Sequence, residues 1–220
     1  MSYIIGMVSQ KGGAGKSTLA RLLARELAQA GMAVKIADLD TQQTTCTAWA
    51  SDRAEAGTIP EIQVQPFGSL RTAVAEAYRF DAYILDGRPH SSQQTLDIAR
   101  AADMVVIPTG QTKDDLRPAV QLAHTLADAG IQPAYIAFAL VRTTRSTAEF
   151  LAARSYLVQT DYSLLDGYLP VSTAYGIAHD VGKAVTETAF RSLNDKAERL
   201  AQAMVDLLVR LTAVKENICQ

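Results

Sequence analysis

Tyr3-Ile4-Ile5-Gly6-Met7-Val8, followed by Gln10-Lys11-Gly12-Gly13-Ala14-Gly15-Lys16-Ser17-Thr18-Leu19, decides how the rest of the chain is read. The first run is apolar and of strand length, and it predicts a buried first strand. The second is rich in glycine and leads into apolar residues at Leu19, Leu22, Leu23 and Leu27, the spacing of one helix face. Strand, glycine loop and helix are the context of a phosphate-binding loop. Glycines let backbone amides turn inward around an anion, and the helix N-terminus adds positive potential. The expected anion contacts are Lys11, Gly12, Gly13, Ala14, Gly15, Lys16, Ser17 and Thr18, with Lys16 reaching the β and γ phosphates and the Ser17 hydroxyl binding magnesium. A tight turn made only for packing has no need of a lysine at each end.

Outward from this loop, apolar runs alternate with helix-period segments, which implies an α/β fold: a mostly parallel sheet flanked by helices on both faces. Two of the predicted strands end in carboxylates. Ala33-Val34-Lys35-Ile36-Ala37 runs into Asp38-Leu39-Asp40, and Ala82-Tyr83-Ile84-Leu85 runs into Asp86. Ligands bind at the C-terminal edges of strands in such sheets, so Asp40 and Asp86 are site candidates. Asp86, about 70 residues beyond the glycine loop, stands in the Walker B arrangement and is expected to hold magnesium together with Ser17.

The chain has 220 residues, of which 48% are hydrophobic, enough for one domain over residues 1–213 with a tail at 214–220. The net charge of −2 means that nucleic-acid contact requires a local basic patch. Cys46 and Cys219 lack metal-ligand spacing and read as ordinary thiols. With no signal sequence and no long apolar run, the expected location is the cytoplasm. Trp49 is expected to pack on the sheet, and His124 to be structural. Pro118 is expected in the first turn of a helix capped by Asp114 or Asp115.

The Lys11-Gly12-Gly13-Ala14-Gly15-Lys16-Ser17-Thr18 loop resembles the deviant Walker A motif of the ParA/MinD family of P-loop ATPases, and the likeness extends over nearly the whole chain. The family implies a homodimer formed on ATP, with Lys11 reaching the partner subunit's nucleotide. Asp38-Leu39-Asp40-Thr41-Gln42 resembles the family's Asp-x-Asp-Pro-Gln switch, which gives Asp40 the attacking water, with Asp38 behind it near the magnesium. Catalysis thus falls to Lys11, Lys16 and Asp40, and the metal to Ser17, Asp40 and Asp86. Thr41 replaces the family's proline and leaves that loop less stiff. Asp86-Gly87-Arg88-Pro89 stands where the family has Asp-x-Pro-Pro. His90 beside it has no counterpart there and is not expected to act as a base. The segment Thr109 to Leu116 matches the place of dimer contacts in the family. Pro170 resembles the proline over the adenine, with Val171 in place of the usual arginine, and Gly182-Lys183-Ala184-Val185 resembles the Gly-Lys-Pro-Val turn.

The closest likeness is to short ParA (ParF-like) partition ATPases. It implies ATP and Mg2+ as cofactors, weak hydrolysis stimulated by a ParB-like or cargo-adaptor partner, non-specific DNA binding, nucleoid association and positioning of a cargo such as a plasmid. Lys183, Arg191, Lys196 and Arg199 are the DNA-binding candidates; Arg142, Arg145 and Arg154 are further candidates for such a surface, with a solvated turn as the alternative for Arg142 and Arg145. The rivals are a MinD-like membrane-positioning ATPase and a metabolic P-loop ligase. The first needs a basic amphipathic end, but only Lys215, beside Glu216, follows the expected last helix. The second needs a further polar constellation beside the phosphates. An iron-sulphur carrier is disfavoured by the unpaired cysteines.

Overall fold

A computed structural model describes residues 2–89 and 92–218. The strands are β1 (Tyr3–Met7), β2 (Val34–Asp38), β3 (Gln63–Pro66), β4 (Ala82–Asp86), β5 (Met104–Thr109), β6 (Ile136–Thr143), β7 (Ser163–Leu164) and β8 (Leu169–Pro170). Between and after them run α1 (Lys16–Gln29), α2 (Thr45–Glu55), α3 (Leu70–Val74), α4 (Ser92–Ala101), α5 (Lys113–Asp128), α6 (Thr147–Val158), α7 (Thr173–His179) and α8 (Arg191–Ile218). The strand order is β3-β2-β4-β1-β5-β6-β7, with β8 also paired to β6, and every pairing is parallel. This is the expected α/β architecture. The phosphate-loop strand β1 lies near the middle of the sheet, so the loop leaves from its most buried part.

Strand alternation builds two cores. Ala82 and Ile84 of β4 face α1, α2 and α8, together with Leu19, Leu22, Leu23, Trp49 and Leu200. Tyr83 and Leu85 point to the other side, where Ile98, Leu116 and Leu157 bring in α4, α5 and α6. Both faces are covered, as an all-parallel sheet requires. All four leucines of the predicted α1 stripe are buried, and Trp49 is 2% exposed. His124 meets the Tyr162 hydroxyl at 2.8 Å on the second face, a structural contact as expected.

Three local expectations change. Thr112, in extended conformation, and not Asp114 or Asp115, precedes the first turn of α5. Pro118 lies beyond that turn, inside the helix. Its missing N–H leaves the carbonyl four residues earlier, that of Asp114, without a helical partner. At the other end of the chain, the α8 backbone continues through residues 214–218, which read as tail. Cys219 and His90 lie outside the described residues. No helix among the described residues is long and apolar enough to cross a membrane.

Candidate nucleotide site

The loop between β1 and α1 turns on Gly13 (φ 67°) and Gly15 (φ 108°), left-handed conformations that disfavour a side chain. Gly15 is the N-cap of α1, and no side chain caps that helix. Its first-turn amides therefore face the loop's concavity, where an anion completes their hydrogen bonding. Ser9 braces the start of the loop: its hydroxyl accepts from the Lys11 amide at 3.1 Å.

Lys16 is buried, and burial draws its ammonium below the usual lysine range against the attraction of Asp86 and Asp40. The lysine and both carboxylates thus converge on the loop. Asp38 and Asp86 are partners in the β2–β4 register, and Met7, the last residue of β1, partners Asp86 from the other side. Asp86 is 1% exposed. Burial pushes its carboxyl up to about 6, although hydrogen bonds with Ser17 and Cys46 pull the other way. Cys46 Sγ donates to Asp86 Oδ2 at 3.2 Å, and Asp86 Oδ1 is buried with no hydrogen-bond partner.

A buried, unsatisfied carboxylate oxygen beside the Ser17 hydroxyl fits magnesium, a hard cation that takes oxygen ligands and keeps waters. No group of three or more acidic, histidine or cysteine side chains suited to a metal occurs among the described residues. Such a site therefore depends on phosphate oxygens and water for most of its coordination.

Asp38 has a different task from the one its position suggests. It is fully buried, and its Oδ2 accepts from the Cys46 and Thr47 amides and the Thr47 hydroxyl, each at 3.1 Å. Its Oδ1 accepts from the Asp40 amide at 3.2 Å. The carboxylate therefore fastens the N-terminus of α2 and the start of the Asp40 loop to β2. Asp40 folds that loop further, its Oδ1 accepting from the Gln42 and Gln43 amides at 3.3 and 3.2 Å, which supplies local order where Thr41 replaces a proline. Gln94 of α4 joins this loop to the one after β4: its Oε1 accepts from the Arg88 amide at 3.1 Å, and its Nε2 donates to the Leu39 carbonyl at 3.4 Å.

The rim of the loop carries two cations. Lys11 Nζ donates to the Asp114 carbonyl and pairs with Asp115 Oδ1 at 3.0 Å. Arg142 Nη1 donates to the Gly13 carbonyl at 3.0 Å. Arg142, though exposed, thus contacts the phosphate loop, because β6 runs through Thr143 and carries it to the sheet's C-terminal edge. Its φ of 55° and the register shift between Val141 and Thr143 mark a bulge that aims it there.

Pro170 ends β8, paired with β6 at Thr143, and Val171 beyond it is exposed. The four DNA-binding candidates make contacts with residues outside the loop. Arg199 pairs with Asp166 at 3.2 Å, and Lys196 sits over the Tyr168 ring at 5.4 Å. Arg191 is solvent-exposed 3.8 Å from Asp195, and the Lys183 carbonyl accepts from Trp49 Nε1 at 3.0 Å. Arg154 also leans on Asp166, at 3.8 Å.

Sequence reasoning missed Cys46, Ser9, Gln94 and the clamp role of Asp38. An Asp followed eight and nine residues later by Cys46 and Thr47, across a helix start, was the available signal for the clamp.

Two carboxylate-tipped strands beside an uncapped glycine loop with lysines at both ends define a P-loop nucleotide-binding protein of the ATPase type. A profile of the family described as ATPase MipZ matches residues 3–159, and the chain belongs to that family of ATPases. The matched part runs from β1 through α6 and stops short of β7, β8, α7 and α8. Among curated proteins, the chain is similar to the chromosome-partitioning ATPase Soj of Thermus thermophilus, 32% identical over 59% of this chain and 64% of Soj. It therefore spans less than two thirds of that relative. Protein ParA of Rhizobium radiobacter is 26% identical over 81% of this chain and 83% of its own length. Among solved structures, the septum site-determining protein MinD of Pyrococcus horikoshii, complexed with Mg-ADP, superimposes with a TM-score of 0.76 at 18% identity. That match covers 93% of this chain and 96% of MinD, and at this identity it establishes the fold.

Proposed function

We propose that this chain is an ATP-driven positioning switch: ATP and magnesium close two copies face to face, the closed pair binds DNA without sequence preference, and hydrolysis reopens it. The observation that carries the reading is the convergence of Lys16, Asp40, Asp86 and Ser17 on one uncapped glycine loop whose outer end bears Lys11. Family membership and the similarity to a chromosome-partitioning ATPase support it.

In this scheme Lys16 and the α1 amides hold the phosphates, and Pro170 lies near the adenine. Ser17 and Asp86, with Asp40 close by, hold magnesium, and Asp40 positions the attacking water. Lys11 of each copy meets the other's phosphates. Lys183, Arg191, Lys196 and Arg199 supply a DNA patch too weak in one copy, and doubling it multiplies affinity. Turnover is slow until a ParB-like or cargo-adaptor protein completes the geometry around Asp40, because phosphoryl transfer depends on positioning. Cytoplasmic, nucleoid-associated residence and a plasmid-like cargo follow from the same reading.

The test is DNA retention by Asp40→Ala with ATP and magnesium, compared with ADP and with no nucleotide. Long-lived, ATP-dependent retention is expected. Equal retention in all three conditions removes the switch.

A further inference from the structure

We infer that Asp115 and the carbonyl of Asp114 form a lysine-holding site that keeps Lys11 in its own subunit until two nucleotide-loaded chains meet. The inference rests on the proposed cross-subunit role of Lys11 and adds what that lysine does beforehand.

The holding site is built from residues of α5, of the segment before it and of the phosphate loop. Pro118 stands inside α5 without an N–H, so the Asp114 carbonyl has no helical donor, and the Lys11 ammonium takes that place. Asp115 is oriented to offer its other contact. The Thr112 hydroxyl donates to Oδ2 at 2.9 Å, which leaves Oδ1 facing Lys11. Gly110 makes the room, since a Cβ there would overlap the Asp115 carboxylate. Ser9 holds the Lys11 amide, so the lysine's backbone is anchored while its side chain crosses to α5. Burial tends to raise the Asp115 carboxyl, but the contacts with Lys11 and Thr112 bring it below the usual carboxylate range.

The hold is loose enough to be released. The Lys11 and Asp115 side chains keep 42% and 34% of their exposure, and water screens such a pair. A partner's triphosphate with its magnesium offers more charge and more acceptor oxygens than one carboxylate and one carbonyl. Lys11 therefore changes partner when the second chain brings its nucleotide, and the cost of leaving α5 raises the concentration at which chains pair.

The experiment uses the full chain and two readouts. In nucleotide-free protein, brief acetylation followed by mass spectrometry measures Lys11 reactivity, with Lys183 as internal reference. Asp115→Asn is expected to raise Lys11 labelling about threefold with Lys183 unchanged, as for loss of one partly exposed charged contact. Unchanged Lys11 labelling overturns the holding site. With a non-hydrolysable ATP analogue and magnesium, sedimentation should find Asp115→Asn dimerising at about three- to fivefold lower concentration. Pro118→Ala keeps every charge but gives the Asp114 carbonyl a helical N–H, and it is expected to shift dimerisation in the same direction. Dimerisation unchanged or weakened in both variants overturns the restraint. Failure of the underlying reading looks different: Lys11→Ala would then dimerise like the unaltered chain, whatever the labelling shows.

Discussion

Asp86, on the floor of the phosphate loop, and Asp115, on its rim, stand at the same end of the sheet, and their surroundings act on them in opposite directions. The floor carboxylate is sealed from water and pushed up to about 6, with one oxygen unpartnered. The rim carboxylate is partly solvated and held below its usual range by contacts that include Lys11. The floor thus keeps one carboxylate oxygen that the chain's own hydrogen bonds leave unpartnered, beside the buried Lys16. The rim has its cation already, borrowed from the loop it borders. At the floor burial outweighs the hydrogen bonds, and at the rim the contacts outweigh burial.

The sharpest way to break this contrast is to remove the floor's own cation. Lys16→Ala deletes the buried ammonium expected on the β and γ phosphates, and nucleotide affinity should fall at least about 100-fold by calorimetry. A loss of less than about tenfold would mean that the loop amides alone hold the phosphates and that the floor is not organised around Lys16. The next effect is on stability. Asp86→Asn removes a buried charge with an orphaned oxygen, so the nucleotide-free chain should gain about 1–2 kcal/mol at neutral pH while losing magnesium-dependent nucleotide binding. The sign follows from linkage. A folded pKa of about 6 lies above the ordinary aspartate value, so the folded state binds the extra proton. This contribution favours folding at acid pH and is lost as pH rises from about 4 to about 6. Asp86→Asn should therefore flatten that part of a urea stability profile. Asp115, held low, contributes in the opposite sense: its stabilisation is present above the unfolded value and fades as pH falls through its folded value.

The floor was legible in the sequence to a degree that the rim was not, and the cause is distance along the chain. Strand, glycine loop and leucine stripe are contiguous, and each carboxylate lies at the end of an apolar strand or just beyond it, so local patterning announced Lys16, Ser17, Asp40 and Asp86. Every strand ending in the site is likewise a short apolar run with its own turn signal, which made the sheet readable. The rim contacts join residues more than a hundred positions apart: Lys11 with Asp115, and Arg142 with Gly13. No periodicity encodes such a meeting. Pro118 was seen but misassigned, because the rule that bars proline from helix interiors assumes that no other donor serves the freed carbonyl. Cys46 was passed over for lack of metal-ligand spacing, although its place at the start of α2 puts its thiol on Asp86. Asp38 is expected near the magnesium and does pair in register with Asp86, but its local pattern does not announce the clamp on α2. The amides of a helix start compete for a carboxylate as effectively as a cation does, and here they occupy it.

The smallest predicted effect tests whether the rim is held by its contacts or merely tolerates them. Arg142 adopts φ 55°, a left-handed conformation that costs a residue with a side chain about 1–2 kcal/mol, and its guanidinium offsets part of that through the Gly13 carbonyl. Arg142→Ala keeps the strain and loses the bond, so it should destabilise by up to about 1 kcal/mol in urea. Arg142→Gly loses the same bond but relieves the strain, at a cost of about 0.5–1 kcal/mol in unfolded-chain entropy. Glycine should therefore be more stable than alanine there by about 0.5–1 kcal/mol. If alanine equals or exceeds glycine, the bulge at the end of β6 imposes no strain, and Arg142 reaches Gly13 simply because the strand carries it there. If glycine also exceeds the native arginine, the chain has kept a costly residue on the rim, and the reason must be sought in what Arg142 meets when nucleotide binds.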